Sequence, residues 1–426
     1  MKLDELKSYV GTPGFAEKIA PLYPGKAQEN AGRYARLLDM YEETFGKTDG
    51  EIRLFSAPGR TEIGGNHTDH QRGRVLAASV DMDMIAAACM NDSGRIRVMS
   101  EGFPLCEISL DELDAAESEK NTTASLIRGI TAYFVRELGD TVTGLDAVVT
   151  STVLPGSGIS SSAAFEVLIG NIINTLFNGG KANAVQIAQI GQYAENVYFG
   201  KPSDLMDQMA SSVGNILTID FKDNENPVVR KLDVDFEKTG LALCIIDSGA
   251  DHADLTDEYA AIPVELKKIC SMFGKEVLRD IPKEEFLAAI PKIREEAGDR
   301  AVLRAFHFYA DNDRVPQQAQ ALESGDLEAF LELVKESGRS SWMYLQNITP
   351  LGSSRHQEMG VALAVCETLL AGRGAFRVHG GGFAGTCQAF VPAEMLDTFR
   401  SRLESLLGEG KCHVLSIRGV GGINVL

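Results

Sequence analysis

The sequence predicts an α+β protein made of two domains in close contact. Three observations carry that reading. The 426 residues, 44% apolar and 24% charged, have ordinary globular composition and suffice for two substantial cores. The first half interleaves strand-like runs with helical ones. The second half holds a long helical stretch and then a strand, a glycine turn and another strand.

Residues 1–50 read as amphipathic helices broken at Gly11-Thr12-Pro13-Gly14 and again from Pro21 to Gly25, a helical lead-in. From Glu51 the pattern changes: IRLFSAPGR and RVLAASVDMDMIAAACM alternate or run apolar as strands do, and LDAVVTSTVL (145–154) is another strand, ended by Pro155-Gly156. A helix runs from Ala163. After the strand NILTIDF (215–221) come a charged turn and the strand LALCIIDSG (241–249), then helical periodicity through 260–345. FRVHGGGFAGTCQAFVP (376–392) reads as a hairpin, residues 393–407 as a helix, and 411–418 as a last apolar segment. The expected division is a lead-in at 1–50, one domain over 51–230 and a second over 231–426, with the boundary near 215–240.

A net charge of −19 argues against nucleic acid and anionic membranes as partners, so any phosphate must be held by a local device. The seven cysteines are scattered without a CxxC pair, which fits a reduced cytoplasm. No stretch of about 18 uncharged apolar residues occurs and the first twenty residues lack a long apolar core, so neither membrane spanning nor secretion is indicated.

Three segments carry candidate chemistry. In VLPGSGISSSAAFEVLIG (153–170), Pro155, Gly156, Ser157 and Gly158 keep side chains clear of the start of a helix, where Ser160, Ser161, Ser162 and Ala163 follow. Such a turn aims backbone N–H groups and a helix dipole at one spot, which suits an anion such as a nucleotide phosphate, and a hydroxyl there can reach Mg²⁺. Plain helix capping needs one serine; three stand in a row. It is not a Walker A loop: Gly46-Lys47-Thr48 resembles its tail, but Tyr41 occupies the place of the first glycine.

The second segment, SAPGRTEIGGNHTDHQRG (56–73), sets Arg60, Glu62, Asn66, His67, Asp69, His70 and Gln71 among four glycines. That makes a poor core and a good lining for a polyhydroxyl pocket, although a polar surface loop would read the same way. A zinc site from His67, Asp69 and His70 is disfavoured because the spacing is weakly specific. In the third, AENVYFGKPSDLMDQMASSVG (194–214), Glu195 and Asp207 are acids on helices separated by the Gly200–Pro202 break; a capping role suits Asp204 better than Asp207.

These segments, with GGGFAG (380–385), occur in the order and spacing of the GHMP small-molecule kinases, and APGR…IGGNHTDHQ.G resembles the galactokinase signature in particular. The resemblance spans residues 50–426. It implies a two-domain α+β fold, an N-terminal domain of the ribosomal S5 domain 2 type and a ferredoxin-like C-terminal domain, with ATP and sugar meeting between them. It implies Asp207 facing the sugar's anomeric hydroxyl beside Arg60, and Mg²⁺ held by Glu195 and Ser162 or its neighbour Ser161. Asn66, His67, Asp69 and Tyr259 fall where the family contacts sugar, as does the glycine motif at Gly381.

The sugar segments depart from the family's pattern. Asn66 stands where a glutamate that meets the C6 hydroxyl is usual, Glu62 where asparagine is usual, Asp204 replaces a glycine beside the sugar, His379 replaces threonine and Ala384 a glycine. The expected activity is ATP-dependent 1-phosphorylation of galactose by a monomer or weak oligomer. A related aldose is the alternative, N-acetylgalactosamine or galacturonate, the latter favoured by Asn66 and disfavoured by Asp204. A catalytically silent sugar sensor is the reading from another class; the retained Ser162-Ala163, Asp207, Arg60 and Glu195 speak against it. All of this requires the serine-bearing helix tip and Asp207 to face one cleft.

Overall fold

The computed structural model describes residues 1–153, 158–201, 203–250 and 255–426. Its strands are β1 (Ile52–Gly64), β2 (Arg74–Met90), β3 (Arg95–Ser100), β4 (Cys106–Ser109), β5 (Leu145–Ser151), β6 (Ile216–Asp220), β7 (Val228–Lys231), β8 (Leu241–Asp247), β9 (Ala375–Val378), β10 (Thr386–Pro392), β11 (Cys412–Leu415) and β12 (Ile423–Asn424). One sheet runs β12-β1-β2-β5-β3-β4, with β6 and β7 added along the start of β2. All its pairings are antiparallel except β3 with β5. β12 belongs to the end of the chain, so the tail of the segment expected in the second domain completes the first sheet.

The long β1–β2 ribbon is the spine. Its register shifts twice, between Pro58 and Arg60 and between Glu62 and Gly64, and such bulges bend a strand and re-aim its side chains. One face of the sheet takes the helices Thr123–Arg136 and Ser161–Phe177 through Ile127, Ile130, Leu168 and Ile172. The other face takes the N-terminal helices Leu3–Val10, Pro13–Ile19 and Ala27–Phe45, whose Phe15, Tyr34 and Leu38 pack over Leu54, Ile85 and Val148. The Thr12 hydroxyl caps the second of these, with Pro13 at its first position, which is why the chain breaks there.

The second sheet is antiparallel, β11-β8-β10-β9, with Glu358–Leu370 and Leu396–Leu407 on one face. A shared core of Ile63, Leu76, Val80, Ile159, Leu243, Ile245, Val315 and Phe390 joins it to the first. The helical stretch expected after residue 260 is Thr256–Met272, Lys283–Glu296, Asp299–Ser324 and Leu327–Ser340. No helix among the described residues is long and apolar enough to cross a membrane, and the seven cysteines form no disulfide there.

Candidate active site

Arg60 and Glu62 lie two residues apart between the shifts in β1 and so share a face of the strand. Arg60 makes a bidentate fork with Asp207, Nε donating to Oδ1 at 2.5 Å and Nη2 to Oδ2 at 2.7 Å, while Nη1 donates to the carbonyl oxygen of Gly158. The Ser160 hydroxyl donates to the same Oδ2 of Asp207. Three segments distant in sequence therefore meet at one carboxylate. Their approach is backbone-close: Arg60 N–H donates to Ile159 O at 3.0 Å, and a Cβ on Gly59 would meet Ile159 Cγ2 at 2.5 Å.

Ser160 takes φ 61° and Gly158 φ 70°, left-handed values that turn the chain into the helix Ser161–Phe177. The helix starts two residues before Ala163, and Ser160 stands at its N-cap position without a capping hydrogen bond from its side chain. Its hydroxyl is spent on Asp207 instead. The helix expected after Pro202 begins only at Met206, so Asp207 sits in its first turn and Asp204 precedes it without capping.

Burial alone would push the Asp207 carboxyl up; the Arg60 guanidinium and the Ser160 hydroxyl outweigh it and hold the group below the usual carboxylate range. Behind Glu62, His379 is buried, and desolvation together with Arg60 pushes its imidazole well down, so it stays neutral. Its Nε2 accepts from Glu62 N–H at 3.3 Å, leaving Nδ1 to donate to Thr386 Oγ1 at 3.0 Å. Glu62 itself is tied by Oε1 to Arg377 and to Asn66 Nδ2.

A polar cleft of about 230 Å³ opens over this floor. Of the residues singled out in the sequence, it brings together Arg60, Glu62, His67, Asp69, His70, Glu195, Asp204, Asp207 and Gly381. Glu195 sits in a π-helical turn, Ala194–Phe199, with one oxygen 3.2 Å from Lys201 Nζ and the other accepting from Gln208 at 2.9 Å. His67 Nε2 donates to Gly381 O at 2.9 Å; desolvation and the neighbouring His70 lower its pKa to about 4.

Two expected sugar contacts lie elsewhere. Asn66 is fully buried and does not line the cleft: Nδ2 donates to Gly380 O at 2.7 Å and Glu62 Oε1 at 3.1 Å, while Oδ1 accepts from Asn347 at 2.9 Å and Ser341 at 3.1 Å. With every polar atom engaged by protein, it has none left for a ligand. Tyr259 packs edge-on against Phe383 and donates to Gly382 O at 2.8 Å; it supports the glycine turn, where a Cβ on Gly381 would strike its ring at 2.6 Å. Pro155, Gly156 and Ser157 lie outside the described residues, and Ala163 is buried in the core.

Ser161 and Ser162 face a second cavity of about 540 Å³ around the helix tip, walled by Phe103, Pro104, Leu105, Leu126 and Phe165. The sequence reading missed this wall, because it comes from the turn after β3 and from the helix Thr123–Arg136, whose apolar residues read only as core. Lys201 was also missed; its signal was a lone cation beside the Gly200 break.

The galactokinase galactose-binding signature matches residues 39–89, and the N-terminal domain of GHMP kinases matches residues 125–215. The galactokinase of Streptomyces coelicolor is 30% identical over 354 residues, which cover 82% of this chain and 87% of that protein. The chain belongs to the galactokinase family. It is thus a phosphotransferase of the GHMP group, whose members use ATP, and acts on a sugar hydroxyl. The fold agrees: Lactococcus lactis galactokinase complexed with galactose superposes with a TM-score of 0.77 over 92% of this chain and 100% of that one, at 24% identity. Methanococcus jannaschii mevalonate kinase superposes at 0.62 over 87% and 99%, at 13% identity.

Proposed function

We propose that the chain transfers the terminal phosphoryl group of ATP to the anomeric hydroxyl of galactose. The observation that carries this is the Arg60–Asp207–Ser160 cluster, one ionised carboxylate fixed between a sugar-sized polar cleft and a helix N-terminus. Asp207 accepts the proton of the attacking hydroxyl as its oxygen bonds to phosphorus and the bond to the departing ADP oxygen breaks. Arg60 keeps that carboxylate ionised and offsets charge on the transferring group.

The helix tip at Ser160–Ala163 supplies N–H groups and a positive dipole for the phosphates, and the apolar cavity beyond Ser161 and Ser162 suits a purine. The available oxygens are hard donors of the kind Mg²⁺ takes: Glu195 from the cleft side and Ser162 from the helix tip would hold it. When bound, the ion neutralises charge on the phosphate oxygens. Glu62, His67, Asp69 and Gly381 line the space left for the sugar hydroxyls.

Galactose is preferred to galacturonate on a specific ground: Asn66, which favoured a uronic acid, is walled off, while Glu62 brings a carboxylate to the cleft in its place. N-acetylgalactosamine remains the alternative aldose. A silent sensor is disfavoured by an intact set of catalytic groups. ATP and free sugar as substrates, with seven cysteines outside any disulfide, support a cytoplasmic protein. Measuring ADP release with a panel of free sugars tests the reading: galactose should be turned over fastest, and a uronic acid turned over well above galactose would overturn it.

A further inference from the structure

The two carboxylate oxygens of Glu195 meet different surroundings. Oε1 lies 3.2 Å from Nζ of Lys201, an exposed cation that lines the cleft beside it. Oε2 accepts from Gln208 Nε2 at 2.9 Å, and the same Nε2 gives its other hydrogen to Glu166 Oε2 at 2.8 Å. Gln208 and Glu166 are both fully buried, and neither lines the cleft. Bridging the two acids is all that the Gln208 side chain does, because its Oε1 is buried without a partner. An amide with an orphaned oxygen is a costly filling for a core, where an apolar side chain of the same size would serve. A Cβ on Gly191, in the helix Ala184–Tyr193, would meet Glu166 Cβ at 3.1 Å and Gln208 Cγ at 3.3 Å, so that helix presses on both side chains and confines them to one arrangement.

We infer that Gln208 is a positioning residue for Glu195: braced by Glu166, its amide holds one oxygen of that acid inward so that the other is presented to the cleft. The inference rests on the reading of Glu195 as a ligand of Mg²⁺. An amide suits the task because its two hydrogens bridge two carboxyl oxygens and bring no charge, whereas a lysine or arginine there would neutralise Glu195 inside the protein. Burial and the nearby Glu195 push the Glu166 carboxyl well up, which leaves the charge of the pair on the acid that reaches the cleft. Glu166 stands one turn after Ser162 on the helix Ser161–Phe177, and Gln208 follows Asp207 in the helix Met206–Val213. The brace therefore sets the spacing between the helix that carries Ser162 and the turn that carries Glu195.

The test measures by calorimetry the dissociation constant of a non-hydrolysable ATP analogue with Mg²⁺ and again in EDTA, and reads the factor by which Mg²⁺ tightens binding. Because Gln208 adjoins Asp207, kcat is not the readout. Wild type is compared with Gln208→Met, which removes both donors at nearly constant volume, with Gln208→Asn, which draws the amide back by one methylene, and with Glu195→Gln. In both Gln208 variants the tightening factor should fall at least about fivefold, the worth of one ordinary hydrogen bond, while affinity for the metal-free analogue stays within about threefold of wild type. Should Gln208→Met fail to fold, Gln208→Asn decides by the same criterion. An unchanged factor overturns the inference, and so does an equal fall in both affinities, which is what a purely structural role would give. Glu195→Gln separates the two readings. If it loses the tightening while the Gln208 variants keep it, the positioning role falls and the metal reading stands; if it keeps the tightening, the metal reading falls and the inference with it.

Discussion

Replacing Asn66 by aspartate changes almost no volume and inverts one donor. The side chain is fully buried, so the new oxygen would face Gly380 O at 2.7 Å and Glu62 Oε1 at 3.1 Å with no hydrogen between them. Two unit charges about 3 Å apart repel by about 5 kcal/mol even at an effective dielectric constant near 20, so the new carboxyl folds protonated. Holding a proton at pH 7 on a group with an unfolded pKa of about 3.9 costs about 4 kcal/mol, and one of the two hydrogen bonds stays lost at about 1 kcal/mol. The expected loss is therefore about 5 kcal/mol at pH 7. Because the folded pKa is raised, the cost shrinks toward the unfolded pKa and grows with pH; at pH 5 it should be about 2–3 kcal/mol. Urea unfolding at both pH values, followed by circular dichroism, measures it. A loss under 1 kcal/mol at pH 7, or one that ignores pH while the sugar KM rises tenfold, would show that Asn66 faces the substrate and refute its placement in the core.

Ser160→Ala removes one hydrogen bond to Asp207 and should lower kcat about three- to tenfold with little change in sugar binding, measured by steady-state kinetics. In wild type the acid limb due to Asp207 should lie below the ordinary aspartate range, since the depressed group stays ionised above its folded pKa and its stabilising contribution is lost only as pH falls through that value. Arg60→Met removes the strongest opposing influence and should move that limb up by at least one unit in a pH–kcat profile; an unmoved limb would assign it to another group. Gly158→Ala forces φ 70° on a residue whose Cβ would lie 2.9 Å from Thr386 Oγ1, and should reduce both thermal stability and kcat.

The elements whose periodicity was unbroken were legible in the sequence: the β1–β2 ribbon, the hairpin around 380–385 and the helix after the serine run. The short strands β3 and β4 carry too few alternating residues to announce themselves. The candidate cluster was legible where small residues and charges sit together with no use in a core, as at Arg60, Asp207 and Ser160, which meet at one carboxylate. Asn66 and Tyr259, expected at the sugar, turn their polar atoms onto protein, because a motif fixes chain position but not which way a side chain turns. With glutamate at 62 and asparagine at 66, the two side chains meet each other, and the acid reaches the cleft from the other position. The second cavity was invisible because its wall uses ordinary apolar residues from separate elements.

The most direct test of the account is Asp207→Asn, read for phosphoryl transfer and for sugar and nucleotide binding on the same preparation. Asparagine can keep the Arg60 and Ser160 contacts to one oxygen but cannot take a proton at neutral pH. The account predicts a fall in kcat of a hundredfold or more with both dissociation constants within about threefold of wild type. Turnover within about tenfold of wild type would contradict it.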